Sequence, residues 1–385
     1  MKHSGLSEWS SSLNAELDIL RENHLLRSLK FIPGIDFLSN DYLSLNKSGL
    51  ILQIAENTIK NWKESFGSTG SRLLQGHSHH FEKAESDFAS YTGYKSALLY
   101  QSGYSANLGT IPALINKNDI IISDRNCHAS LIDGIRLSGA VNIRYRHNDL
   151  NHLREILTRK TGKKYKRIWI ITETLFSMDG DSPDLKSLAD LSEEFGALIY
   201  LDEAHAAGIY GPGGSGLISK HKLQKRIAVS VFPMGKAPGL SGAFVCGNSS
   251  LKEILVNKSR SFIFSTAQPP ILASILTEII SFLQKKEAEI LRNNLLKKSD
   301  LLLRILQEGG INTGRSNSQI IPVLCDDEKP ALLLSEFLVK KGYAVRAIRP
   351  PSVPKGTSRL RLAVHADHTE DQIRNLGENI IKFFK

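Results

Sequence analysis

Cysteine is scarce: Cys127, Cys246 and Cys325 are the only three in 385 residues, odd in number and far apart. None forms a CxxC pair, which excludes a disulfide framework and a cysteine zinc site. Long hydrophobic runs are missing as well. The N-terminal stretch MKHSGLSEWSSSLNAEL has no apolar segment of the signal-peptide kind. The most apolar helical stretch, ILASILTEIISFLQ, is too short and too interrupted to span a bilayer. No block of Lys and Arg interleaved with aromatics is present, which argues against a nucleic-acid binder. Internal repeats, low-complexity segments and a flexible linker are also absent. The expectation is a cytoplasmic protein in a reducing compartment, with no membrane and no nucleic acid among its partners.

What is present is an ordinary globular composition, 41% hydrophobic and 23% charged, with a net charge of +10. The excess of basic residues suits acidic partners such as a nucleotide thioester or an acidic carrier protein. Apart from short clusters such as Arg159 to Arg167, however, the charges are scattered and read as a solvated surface. Residues 6 to 30 read as an amphipathic helix through Leu13, Leu17, Leu20 and Leu25. From about residue 50, KSALLYQS, DIIISD, RIWIITET, ALIYLDEA and IAVSVF read as short, nearly continuous apolar strands alternating with helices. Strands buried on both faces of a mostly parallel sheet look like this. A long helical stretch is expected from Pro270 to Glu308. SQIIPVLCDD, PALLLSEFLVKKG, SRLRLAVHA and a last helix opened by Thr369 and Gln372 then form a smaller α+β part. The expected division is an N-terminal helix and arm over 1–45, a large α/β domain over 46–285 and a small domain over 286–385.

Open α/β sheets collect ligands at the carboxyl ends of their strands, and the unusual residues fall there. Asp202 ends IYLD with His205 three residues on, Glu173 and Ser177 close RIWIITETLFS, and Lys236 follows IAVSVFPMG among Gly, Pro, Ala and Ser. Singly, each has a plain alternative, since an acid at a strand end often caps a helix and a lone histidine is usually structural. Together they describe a lysine that a flat ligand can approach closely, with an amine made nucleophilic by desolvation. An aldehyde cofactor would form a Schiff base with it. Pyridoxal phosphate further needs a carboxylate at its ring nitrogen, a face to stack on and a phosphate cradle. Asp202, His128 and the turn Ser102-Gly103-Tyr104 at a helix N-terminus can supply these.

The segments FLSNDYLSL, GSTGSRLLQGH, SGYSAN, SDRNCHASLIDG, TETLFSMDGD, LDEAHAAGIYGPGGSG, MGKAPGLSGAF, FIFSTAQPP and RPPSVPKGTSRLRLAVHADHT resemble those of the α-oxoamine synthases, in family order over nearly the whole chain. These are fold-type I pyridoxal-phosphate enzymes, built like aspartate aminotransferase, that condense an amino acid with an acyl thioester and release carbon dioxide. GSTGSRLLQGH and GLSGAF resemble the branch that joins L-alanine to a pimeloyl thioester in biotin synthesis, rather than the sister that uses glycine and acetyl-CoA. A pyridoxal-phosphate-binding but inactive partner subunit is a rival of another class. The resemblance implies that Lys236 is the Schiff-base lysine and acid/base, that Asp202 holds the ring nitrogen and that His128 stacks on the ring. It implies that His205 and Ser177 contact the O3′ side, that Ser102, Gly103 and Tyr104 line the phosphate site, and that Arg361 pairs with the amino acid carboxylate. Arg27 and Asn40 align with acyl-side positions. Ser265 and Thr266 would reach the phosphate of the neighbouring subunit, because family sites form at a homodimer interface. The acyl group would arrive on coenzyme A or an acyl carrier protein.

Three positions depart from the pattern. Pro233 stands where a threonine hydroxyl usually meets the phosphate, Ala207 replaces another threonine, and Phe81 replaces an expected histidine. Activity with looser cofactor retention is the consequence expected. The crowded His77, His79 and His80 read as a solvated loop, because no second ligand cluster is visible in the sequence.

Overall fold

The computed structural model describes residues 5–23, 25–29, 31–160 and 165–385. Residues 161–164 of the Arg159–Arg167 cluster, and residues 24 and 30 of the expected N-terminal helix, lie outside the described residues. The strands, in chain order, are β1 (Ile35–Asp36), β2 (Ser96–Tyr100), β3 (Ile120–Asp124), β4 (Val141–Tyr145), β5 (Ile168–Glu173), β6 (Leu198–Asp202), β7 (Val229–Pro233), β8 (Ala243–Gly247), β9 (Ile320–Asp326), β10 (Tyr343–Ala344), β11 (Ala347–Ile348) and β12 (Ser358–Ala363). Seven of them form one sheet in the order β2-β8-β7-β6-β5-β3-β4. It is parallel from β7 through β4, and β8 runs antiparallel to both its neighbours. The fold is therefore α/β with a mostly parallel central sheet, as expected.

Burial explains the apolar runs. Successive residues of a strand point to opposite faces, and here both faces are covered. Ile121, Ile171, Tyr200 and Val231 pack on one side, whereas Ile122, Ile170, Ile199 and Leu201 pack on the other. A third cluster closes the β8 end, where Phe88 stacks on Phe244 with ring centroids 4.0 Å apart. The five strands expected from sequence are β2, β3, β5, β6 and β7. The edge strand β4 is only partly covered, so its polar sequence VNIRY hid it. The crossover helix Leu185–Glu194 starts on Asp184, whose carboxylate accepts from the Lys186 and Ser187 N–H groups, and stops before Gly196.

Two expected helices are corrected. The first covers Gly5–Glu22, buries none of its residues and ends before Leu25. The stretch from Pro270 to Glu308 is two helices, Pro270–Leu283 and Lys286–Glu308. The first packs on the helix His79–Thr92 and the second on the C-terminal helix Glu370–Phe384, so the change of partner sets the break and no Gly or Pro marks it. The C-terminal helix starts with the expected capping box of Thr369 and Gln372.

The N-terminal arm does not stand apart. β1 pairs in parallel with β10, and Phe37, Tyr42 and Leu43 are buried in the same cluster as Leu360 and Leu362 of β12. This pairing sets Asn40 and Tyr42 beside Arg361. Between β5 and the crossover helix, residues 174–181 form a loop that touches both parts of the chain. Gly180 has φ +66°, and its carbonyl accepts from the Asn317 N–H (3.2 Å) and Ser318 Oγ (2.8 Å). A Cβ there would lie 1.9 Å from the Ile320 carbonyl oxygen. Gly180→Ala is therefore expected to displace this loop and lower the thermal unfolding midpoint, and an unchanged midpoint would disprove the close approach.

Candidate active site

The carboxyl ends of β5, β6 and β7 open on a cavity of about 450 Å³. It is lined by Asn40, Ser102, Gly103, Tyr104, His128, Ser177, Asp202, His205, Lys236 and Arg361, joined by Glu173, Ser130 and Pro233. Ten of the thirteen site residues expected from sequence thus meet in one place. The other three do not. Arg27 is exposed and donates to Ser352 Oγ (3.0 Å). Ser265 and Thr266 line a separate cleft beside Arg72 and Gln101.

Asp202 is buried at the end of β6, and two donors satisfy its carboxylate. Oδ1 accepts from the Ala204 N–H (2.9 Å) and Oδ2 from Asn107 Nδ2 (2.8 Å). Asn107 is itself fixed, because Tyr200 Oη donates to its Oδ1 (2.8 Å) and its Nδ2 also donates to Ser130 Oγ (2.9 Å). With its oxygen so engaged, Ser130 has its hydroxyl proton free for His128 Nδ1, 2.8 Å away. His128 Nδ1 also accepts the Ser130 N–H, capping the helix Ala129–Ser138. Burial, acting with the Lys236 charge and against Asp202, holds the His128 imidazolium below its ordinary range. Its ring is therefore neutral near pH 7 and free to cover a flat ligand.

Lys236 sits in the tight β7–β8 connection, where the Gly239 N–H donates to its carbonyl (2.8 Å). What exposure it has is to the cavity, and burial pulls its ammonium below the usual value, against Asp202 and Glu173. Glu173 lies across from Asp202 in the β5–β6 register and accepts the His128 N–H (2.7 Å). Burial, then the Asp202 charge, push the Glu173 carboxyl up to about 8. Glu203, the next residue along from Asp202, serves the fold instead. Its carboxylate accepts from the Leu217 N–H (3.0 Å), the Ile218 N–H (2.6 Å) and Thr174 Oγ1 (3.0 Å).

On the opposite wall, Arg361 donates from Nε to the Ser177 carbonyl (2.6 Å) and from Nη2 to Asn40 Oδ1 (2.8 Å) and Tyr42 Oη (2.9 Å). Tyr42 Oη lies 2.7 Å from His205 Nδ1, so the arm links Arg361 to the histidine. Burial, together with the charges of Lys236 and Arg361, keeps His205 neutral. At the cavity mouth the helix Gly103–Leu114 starts on Ser102, which forms a reciprocal cap with Ser105. The first N–H groups of that helix are the natural place for a phosphate.

The sequence profile of the aminotransferase class I and II family matches residues 32–380. A putative 8-amino-7-oxononanoate synthase of Aquifex aeolicus is 39% identical over 97% of this chain and 98% of its own length. The 8-amino-7-oxononanoate synthase of Geobacter sulfurreducens is 36% identical over 94% and 95%. The chain belongs to the α-oxoamine synthases. Among solved structures, a lysine-to-alanine variant of the serine palmitoyltransferase of S. paucimobilis with a bound PLP–myriocin aldimine superposes with a TM-score of 0.87, at 27% identity over 99% of this chain and 98% of that one. An 8-amino-7-oxononanoate synthase of Francisella tularensis gives 0.78, at 29% identity over 91% and 97%. The site fits the cofactor of this synthase family: a desolvated lysine, a buried carboxylate with lone pairs to spare and a capped helix N-terminus all face one cavity.

The residues that depart from the pattern have structural roles. A Cβ on Gly103 would meet Pro233 Cγ at 2.6 Å, so the proline ring packs directly against the start of the helix Gly103–Leu114. Ala207 and Phe81 are buried in one apolar cluster, and Arg72 lies over the Phe81 ring at 4.5 Å. His79 and His80 converge on Glu64 at 3.6 and 3.2 Å, a partner that sequence spacing had not indicated. Tyr42 and Asn107 were missed as site residues. Asn107 lies one helical turn beyond Gly103 and so on the same face, which is a signal that could have been used.

Two predictions follow from this geometry. Pro233→Thr, which restores a hydroxyl at the cradle, is expected to tighten pyridoxal-phosphate binding about 2- to 12-fold, from about 0.5–1.5 kcal/mol per hydrogen bond, as read by cofactor titration. Glu173 holds a proton in the folded protein up to about pH 8 that the unfolded chain releases near pH 4.5, so its cost grows as pH rises between these values. Glu173→Gln, which copies the protonated acid, should therefore gain stability over the parent across this window and hold a constant gain above it. A flat difference in urea unfolding would refute the assignment.

Proposed function

We propose that this chain is an 8-amino-7-oxononanoate synthase that joins L-alanine to a pimeloyl thioester with loss of carbon dioxide and of the thiol. The names of the full-length relatives support this choice of substrates. The observation that carries the chemistry is the meeting of Lys236, Asp202, His128, His205 and Arg361 in one cavity. Residues 46–285 would be the cofactor-binding unit and residues 286–385 the smaller one.

Pyridoxal phosphate, when bound, supplies an aldehyde for an amine and a ring that draws electrons from the amino acid's α-carbon. Lys236, lowered by burial, would hold the aldehyde end and then take a proton from the α-carbon and return one. Asp202 would keep a proton on the ring nitrogen, and Asn107 and the Ala204 N–H hold that carboxylate in place. His128 would cover the ring, with His205 and Ser177 on the side of its hydroxyl. The N–H groups after Ser102, at Gly103 and Tyr104, would take the phosphate. Arg361 would bind the alanine carboxylate, for which a planar guanidinium is suited. Asn40 and Arg27 would lie towards the acyl chain.

Ser265 and Thr266 would complete the site of a second copy in a homodimer, which agrees with their lining a cleft other than this chain's own cavity. The net charge of +10 suits an acidic acyl carrier protein, and it suits the phosphates of coenzyme A as well. No helix among the described residues is long and apolar enough to cross a membrane, and the reaction would take place in the cytoplasm.

The test uses protein saturated with pyridoxal phosphate, given L-alanine with pimeloyl thioester or glycine with acetyl-CoA, and reads products by mass spectrometry. The amino ketone from the first mixture alone is expected. Product from the second alone would move the chain to the sister activity. Lys236→Ala should give no turnover, and near-normal turnover in that variant would overturn the mechanism.

A further inference from the structure

His147, in RYRHNDL after β4, lies outside the cavity lining, yet both of its ring nitrogens face carboxylates. Nδ1 is 2.9 Å from Asp124 Oδ1, at the end of β3. Nε2 is 3.1 Å from both oxygens of Asp181, at the end of the loop 174–181. A carboxylate oxygen accepts a hydrogen bond, so this geometry is satisfied only when both nitrogens carry protons. The neighbouring residue completes the strap. The Asn148 N–H donates to Asp124 Oδ2 and its Nδ2 to Asp181 Oδ2, both at 2.8 Å. Asn148 has φ +52°, a conformation asparagine tolerates.

The loop so held is closed on itself. The Phe176 N–H donates to the Asp181 carbonyl (3.0 Å) and the Gly180 N–H to the Phe176 carbonyl (2.9 Å). The Phe176 ring stands edge-on to His147, with centroids 4.4 Å apart. Ser177 follows directly, and its carbonyl takes Arg361 Nε. From the other side Arg359 Nη1 holds the Met178 carbonyl (3.1 Å) and Asp179 Oδ1 (2.6 Å).

We propose that His147 is a positioning residue: as a doubly donating imidazolium it ties the loop 174–181 to β3 and so fixes the Ser177 carbonyl that aims Arg361. This rests on Arg361 taking the substrate carboxylate. Burial of the ring opposes its charge, but the hydrogen bonds it donates to Asp124 and Asp181 outweigh that and push His147 up to about 10. The charged groups around it are Asp124, Asp181 and Asp179, the last paired with Arg359. His147, Asp179 and Asp181 also converge as three potential metal ligands. A cation is disfavoured there, because the Asp179 carboxylate already receives the Arg359 guanidinium (2.6 Å) and Asn126 Nδ2 (3.2 Å).

The test has two parts. In protein labelled with 15N-histidine, one ring is expected to keep both nitrogens protonated at pH 8, well above the ordinary histidine value of about 6.5, and to vanish in His147→Gln. The absence of such a ring, or its survival in the variant, overturns the proposal. In the holoenzyme, His147→Gln is expected to raise KM for the amino acid roughly tenfold, with kcat and cofactor affinity changed less than about threefold. An unchanged KM, or a parallel loss of all three, overturns it. Should His147→Gln not fold, Asp181→Asn is read the same way, with a smaller rise in KM expected and the same results counting against the proposal. Arg361→Lys separates the two layers. If its amino-acid KM is also normal, the carboxylate assignment has failed; if it is raised while that of His147→Gln is not, the strap has failed.

Discussion

Burying a carboxylate at the end of a parallel strand is costly unless its oxygens are satisfied, and much of this protein is arranged around one such group. Asp202 ends β6 with one oxygen on the turn that follows it and the other on Asn107, a residue of the helix packed across the sheet. Asn107 in turn depends on Tyr200 and Ser130, and Ser130 sets the acceptor role of His128 Nδ1. The order runs from a core tyrosine to the face of the cavity, with the Asn107 amide nitrogen donating to both Ser130 and Asp202. Glu173, alongside, keeps its proton because burial, and after it the Asp202 charge, disfavours its ionised form.

A second constraint is the loop 174–181, the point where the two parts of the chain grip one another. Asp181 faces the large sheet through His147, while Ser177, Met178 and Asp179 receive Arg361 and Arg359 of β12. The arm adds Asn40 and Tyr42 to the same guanidinium. Arg361 is therefore held by the large sheet's loop and by the N-terminal arm, while its own strand belongs to the small sheet. Its direction is a property of the assembled chain.

Legibility followed locality. The apolar runs of β2, β3, β5, β6 and β7 were readable because each is buried, and β4 was not, because it is only partly covered and keeps polar residues. The cap at Thr369 was readable, since capping is settled within four residues. The break at residues 284 and 285 was not, because it comes from a change of packing partner. In the site, Lys236, Asp202, His128 and Arg361 announced themselves by residue type and position after strands. Tyr42, Asn107 and His147 did not, since a tyrosine or a histidine in a turn and an asparagine inside a helix look ordinary until their partners are known.

The amino-acid sequence alone determined the alternation of strands and helices, the strand ends where chemistry gathers and the identity of the groups placed there. These depend on periodicity and on residue chemistry, which act over a few positions. Only the tertiary structure decided who satisfies whom: Asn107 meets Asp202 across 95 residues of sequence, and Asn40 meets Arg361 across 321. Hydrogen bonds act over about 3 Å and ignore sequence separation, so their pairing is fixed by which elements the core packs side by side.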